Sequence, residues 1–527
     1  MNSTDVSCGV FRRLDAALTP SSLHRFVVGE DQTPREMTAQ EISAELGDPL
    51  ATLLLANGVF PVTAEDVLAK LDTATDASDP LRKQMSFILG EGSQVAVRPE
   101  TESLPRNLRF VISRGGDPQN GADVVMSVSF PDQKSGVEVM AWDSRVGGFN
   151  FYTTGGEDGA WIFAGNSRHA LAPPTEGKGP FESHLSGAFI MKELRAPWIN
   201  WHSSGAPILE SAFVDGDPRR NHPWFTQKEP AGAFRCETAV ARPAIVRWVK
   251  TRFATALGAD GAFDSPRRVM RQILDTPTAN LMTSHTESRN AARAETFDLP
   301  PTFFVDTVAL TEILGLLPPP AFNASGALYA ASLAKFDTKM DDTEGVVIPG
   351  DTHFAFLVPE RAAEDLEVLR EALRVGLLSE RLARALLMVD FPNPVFSPRR
   401  AVLLAHVPER ATITDGTSTF SQEFADAILA AAEGSADGSP EREFAALWEL
   451  GDDAVQPLSA QLSEYYDAVS ARLPTQDGFD DYYRLAESRR QRAREIPIFS
   501  EFEFLFAKTN IPAGERMMQR DGTVAEV

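Results

Sequence analysis

The feature that most limits what this chain can fold into lies between residues 109 and 165, where short apolar runs alternate with glycine-rich breaks. Met126, Val128 and Phe130 alternate with Ser127 and Ser129, the period of two that places one set of side chains on each face of a strand. Further runs at Val137 to Trp142, Phe149 to Thr153 and Ala160 to Phe163 are separated by Gln133 to Gly136, Val146 to Gly148 and Gly155 to Gly159. Those separators have the composition of hairpin turns. With Arg109 to Ser113 the runs make about five strands, so the expectation is an antiparallel β-meander with an apolar face that a helical layer covers.

Helical signals dominate the rest of the chain. Thr63 and Asp66 open a helix through Leu71, and Asp72 to Pro80 reads as a linker. Pro243 predicts the first position of a helix ending near Leu257. Ser265-Pro266-Arg267-Arg268 and Ser397-Pro398-Arg399-Arg400 each place a serine cap before a first-turn proline. Leucines 366, 369 and 373, the stop at Gly376 and a restart near Ser379 predict a helical hairpin. The fold class is therefore α+β, a meander of about five strands backed by a large helical body. The expected divisions are a small helical lead-in over 1–80, the sheet region over 81–185, a helical body carrying the site over 186–432, and a C-terminal region over 433–527. That last region is expected to be helical to about Arg494, to return as a strand at Phe502 to Phe506, and to end in a frayed tail of a dozen residues.

Charge narrows the function. Asp and Glu number 74 against 50 Lys and Arg, a net charge of -24 that repels phosphate backbones and anionic lipid heads. Neither nucleic acid nor a membrane is an expected partner. No run approaches eighteen apolar residues, the N-terminus has no apolar targeting stretch, and the two cysteines, Cys8 and Cys236, form no redox or zinc motif. The expectation is a cytoplasmic protein. Phosphate-loop, dinucleotide-fingerprint, nucleophile-elbow and His-Glu-x-x-His patterns are absent from the sequence.

What chemistry remains rests on eight histidines. His285-Thr286-Glu287 and Asp351-Thr352-His353 each set an imidazole and a carboxylate two residues apart, and two histidines with one carboxylate hold Fe(II) while leaving positions open for substrate and oxygen. With 74 carboxylates in the chain such pairs also arise by chance, and a histidine satisfied by local partners is the alternative for each. The densest chemical neighbourhood is Pro197-Trp198-Ile199-Asn200-Trp201-His202, followed by Asn221-His222-Pro223-Trp224. Aromatic walls with a few polar groups suit a small-molecule pocket, and a helix packed on the sheet is the competing reading. The paired arginines suit an anionic ligand or, in so acidic a chain, salt bridges. Ser332-Leu333-Ala334-Lys335 has the spacing that sets an amine beside a nucleophilic hydroxyl.

The expectation from these observations is a metal-dependent oxidoreductase, using iron or another transition metal, acting on a small substrate. His202, His285 and His353 are its metal ligands, and Glu287 and Arg399 its catalytic residues. Trp198, Asn200, Trp201, Trp224 and Arg400 bind the substrate. The cofactor is iron or another transition metal, with haem as a variant that would need a histidine ligand. A non-catalytic binding or scaffold protein is the alternative, and a serine-lysine hydrolase centred on Ser332 comes third.

Overall fold

A computed structural model describes residues 18–91, 107–130, 136–154, 159–189, 216–227, 235–284, 288–341, 347–351, 355–495 and 507–527. The chain divides into two compact units, Met1–Arg252 and Phe253–Val527. Both helices and strands build it, so the α+β expectation holds, but the main sheet is larger than a five-strand meander.

That sheet belongs to the first unit. Strands β1 (Ser22–Arg25), β2 (Arg35–Glu36), β3 (Gln84–Glu91), β4 (Asn107–Arg114), β5 (Val124–Phe130), β6 (Val137–Asp143), β7 (Gly148–Thr154) and β8 (Ala160–Asn166) lie in the order β2-β1-β8-β7-β6-β5-β4-β3. From β3 to β8 the strands form the expected up-and-down meander. The strands beyond the expected five are β1, β2 and β3. β1 pairs parallel to β8, with Leu23 opposite Trp161, and β2 adds an edge of two residues. Strands of four and two residues carry too few positions for alternation to register, and a parallel partner from a distant segment leaves no hairpin signal.

The sheet is buried on both faces. One face presents Phe110, Ile112, Met126, Val128, Val139, Tyr152 and Trp161 to α1 (Ala39–Glu45), α2 (Pro49–Leu53) and α3 (Ala64–Ala74), through Ile42, Leu50, Val67 and Leu71. The segment expected as a helical lead-in is thus a lid on the sheet as well as the source of two strands. On the opposite face Phe151 meets Phe181 edge-on at 5.3 Å, and the guanidinium of Arg247 lies 4.0 Å from the ring of Trp142. Cover on both sides explains why every residue of β7 is buried.

Asp48 ties lid to sheet. Its Oδ1 caps α2 by accepting from the Ala51 amide at 3.0 Å, while its Oδ2 accepts from Asn150 Nδ2 at 2.8 Å and from the Tyr152 hydroxyl, both on β7. Burial outweighs these hydrogen bonds and lifts the carboxyl above the usual range.

The second unit is helical, with small ladders set into it. They are β9 (Ala262–Phe263) with β16 (Ala411–Thr414) and β17 (Thr417–Ser418), β10 (Ala279–Met282) with β15 (Val358–Arg361), and β11 (Thr296–Leu299) with β12 (Phe322–Ser325). β13 (Lys339–Asp341) pairs with β14 (Val347–Pro349), and β18 (Arg516–Met518) with β19 (Val524–Glu526). The expected helical hairpin is present as Ala363–Arg374 and Glu380–Met388. The two serine-proline starts differ: Ser397 accepts from the Arg400 amide at 3.1 Å, whereas Ser265 sits at a φ of 55° and turns its hydroxyl to Asp264. The last dozen residues are not a frayed tail. The β18-β19 hairpin docks on the helix Gln476–Arg494, where Tyr482 donates to the Gly522 carbonyl at 3.1 Å and the Arg516 amide donates to Ser488 Oγ at 3.0 Å. The strand expected at Phe502 to Phe506 lies outside the described residues.

Six of the seven tryptophans fall in the first unit and only Trp448 in the second, so indole emission reports chiefly on the sheet unit. Asp48→Ala removes a cap and leaves buried donors unpaired, and should lower that unit's unfolding free energy by about 2–4 kcal/mol. Because the folded-state pKa of Asp48 is raised, its contribution is full below the ordinary carboxylate pKa of about 4 and is lost as pH rises through the raised value. The wild-type urea midpoint should therefore fall relative to that of Asp48→Asn as pH rises above about 4. Parallel midpoints would contradict this assignment.

Candidate functional site

A charged interior of the second unit surrounds the β10-β15 ladder. All eight of its residues are buried, yet they include Asn280, Glu360 and Arg361. Asn280 and Glu360 are directly opposed and share a hydrogen bond of 2.8 Å, and Ala279 faces Arg361. Pro359, which has no N–H to donate, is tolerated because this ladder has only two strands.

Arg361 anchors one end. Its Nε donates to Asp306 Oδ2 and its Nη1 to the Ile273 carbonyl at 3.0 Å and the Gln272 carbonyl at 3.3 Å. Asp306 uses its other oxygen to accept from the Ala309 amide at 3.1 Å, capping the π-helical segment Thr307–Ile313. Wide turns of this kind are rare and recur at functional sites. Gln272 in turn donates to Asp365 Oδ1 at 3.0 Å.

At the other end the pairing continues past the strands. The Ser284 amide donates to the Ala355 carbonyl at 2.9 Å, and Thr283 Oγ1 donates to the same oxygen at 2.8 Å. Asp351 Oδ2 accepts from the Phe356 amide at 2.9 Å and from the Tyr329 hydroxyl at 3.1 Å, and its Oδ1 accepts from Arg490 Nη1 at 3.0 Å. The described residues on either side of 352–354 are therefore tied to each other through one buried carboxylate. Ser284 Oγ is buried at this joint without a hydrogen-bond partner among the described residues.

His202, Trp198, Asn200, Trp201, His285, Glu287 and His353 lie outside the described residues. Trp224 is described, and it packs in the apolar core of the first unit, 5.5 Å from Phe110 and 4.7 Å from the His222 ring. Arg399 donates to Glu443 and to the Gly438 carbonyl, each at 2.8 Å. Arg400 is fully interior and donates to the carbonyls of Val389, Asn393 and Pro394. The Ser-x-x-Lys pair is joined through a third residue: Ser332 Oγ donates to Asp480 Oδ1 at 2.6 Å, Lys335 donates to Oδ2, and Gln476 donates to Oδ1 at 2.8 Å. Burial disfavours the Asp480 charge, but these donors outweigh it and hold the carboxyl below its usual range. Ser332 itself is completely buried, bonded to a carboxylate and not to the amine.

Sequence reasoning missed Asp306, Arg361, Tyr329 and Arg490. Charged residues of a polar-looking helix read as a solvated face, so Glu487, Arg489 and Arg490 give no local sign that they are buried. Among the described residues no group of three or more His, Cys, Asp or Glu is arranged to hold a metal ion. No protein-family model matches the chain, and no curated protein or solved structure matches it either.

The Asp480 bridge predicts that Ser332 is structural. Ser332→Ala should cost about 1–2 kcal/mol, and the wild-type protein should resist serine-acylating probes. Stoichiometric labelling that disappears in Ser332→Ala would reverse this reading.

Proposed function

We propose that the second unit is a metal-dependent oxidoreductase, using iron, with His285, His353 and Glu287 as the metal-holding set and a small molecule as substrate. The observation that carries the proposal is the hydrogen bond between the Ser284 amide and the Ala355 carbonyl. His285 follows this joint by one residue, Glu287 by three, and His353 precedes it by two. A chain spans at most about 3.6 Å per residue, so these short separations permit the three candidate ligands to reach one metal ion. The Asp351 carboxylate also accepts from the Phe356 amide, next to the same joint.

The donor set suits the metal: two neutral imidazoles and one carboxylate bind Fe(II) and leave coordination positions for substrate and oxygen. When bound, such an ion supplies a redox-active Lewis acid. The chain's own part is positional. Asp351, held by Arg490 and Tyr329, fixes the backbone from which the ligands depart, and outer partners of this kind orient metal ligands. Ser284 Oγ offers a buried hydroxyl with spare hydrogen-bonding capacity at the joint, suited to orienting a substrate oxygen. The proposal is confined to the second unit, so His202 and the tryptophan-rich segment take no part in it.

Protein produced in iron-supplemented medium should carry about one iron per chain, reversibly reduced by dithionite. His285→Ala and His353→Ala should each cut loading at least tenfold with unchanged circular dichroism, while His202→Ala keeps it. Full loading in both of the first two variants, or wild-type protein free of iron, copper and zinc, would overturn the metal centre and favour a binding protein. Bound iron that cannot be reduced would overturn the redox role.

A further inference from the structure

We infer that the second unit binds a small oxyanion, a carboxylate or phosphate group, at Arg361 and Arg400. The inference is independent of the metal proposal and rests on described residues alone. Arg361 is 5% exposed and Arg400 2%, and each keeps one guanidinium nitrogen without an acceptor among the described residues: Nη2 of Arg361 and Nε of Arg400. All other bonds of Arg400 go to main-chain carbonyls, so its charge has no hydrogen-bonded carboxylate among the described residues. Arg489 is in the same position, donating to the carbonyls of Phe303 and Pro392 and to Asn393 Oδ1.

The carboxylates bonded around these arginines also serve other donors. Asp306 gives one oxygen to Arg361 and the other to the Ala309 amide. Asp390 accepts from Asn393 at 2.8 Å and Ser397 at 2.5 Å, and burial lifts its carboxyl above the usual range, toward the neutral form. Glu443 is shared between Arg399 and Arg520. Among the described residues Arg400 and Arg489 thus bond only to main-chain and amide oxygens, and the carboxylate hydrogen-bonded to Arg361 is shared with the Ala309 amide. Burial, with the charge of Arg361 nearby, pushes Arg400 down to about 10, still well above neutrality, so the cation persists.

A buried guanidinium without a hydrogen-bonded carboxylate is costly unless an anion meets it. Guanidinium N–H groups are matched in geometry to oxyanions. Orphaned donors on two different arginines, with like charges close enough to repel, are what such a ligand would satisfy. In a chain of net charge -24, anions are not gathered by the surface, so selective uptake would have to come from this interior.

The test is equilibrium dialysis of the full chain, exhaustively exchanged into chloride, against labelled inorganic phosphate and, separately, labelled acetate at constant ionic strength. We expect about one equivalent of at least one probe, bound saturably, and the probe that binds identifies the anion class. Hydrogen exchange with the bound probe should slow in 356–362 and 389–402 and stay unchanged in 107–130. Arg400→Lys, which keeps the charge but removes the planar fork, should weaken binding at least tenfold. Less than a tenth of an equivalent of both probes would overturn the inference. So would stoichiometric binding whose exchange footprint lies away from those two segments, a result that stands even if the variant fails to fold.

Discussion

The second unit is organised by the buried contact between Asp306 and Arg361. Both side chains are nearly free of solvent, and both are spent on structure as well as on each other. Asp306 starts a π-helical segment, and Arg361 holds two carbonyls at the end of the helix Pro266–Leu274 while forming the last rung of the β10-β15 ladder. Taking two charges out of water costs several kcal/mol per ion, and only close geometry with further hydrogen bonds recovers it. An interior that keeps such a pair is constrained: if either partner moves, the other becomes an uncompensated charge. The ladder and the joint at Ser284 and Ala355 both inherit their placement from this anchor.

The two units solve burial differently. In the first, apolar side chains cover both faces of a broad sheet, and the interior carboxylate of Asp48 stitches a helix start to a strand. The second encloses glutamates, aspartates and arginines in a helical body and satisfies most of them against main-chain carbonyls and one another. Simple alternation can be read from a sequence; mutual satisfaction of distant charges cannot.

That contrast explains how much was legible. Met126 and Val128 announced a strand because one face is apolar throughout, and the leucines at 366, 369 and 373 announced a helix for the same reason. The two-residue strand at Arg35 and the parallel pairing of Leu23 with Trp161 left no local trace. Trp224 attracted attention as a pocket wall because tryptophan beside histidine and asparagine suits both a ligand site and a core; its packing against Phe110 is of the second kind. Arg400 was noticed for the repeated Ser-Pro-Arg-Arg, but nothing in those four residues distinguishes the interior Arg400 from the half-exposed Arg399. The pairing of Ser284 with Ala355 spans about seventy residues and has no counterpart in local spacing.

A double-mutant cycle on Asp306→Ala and Arg361→Ala tests the anchor most directly, read by hydrogen exchange as the opening free energy of the slowest amides in the helix Ala363–Arg374. Each single substitution should cost about 3–5 kcal/mol and the double substitution much less than their sum, because each single leaves a buried charge unpaired. Additive losses, or singles costing less than about 1 kcal/mol, would show that the pair does not hold this interior together.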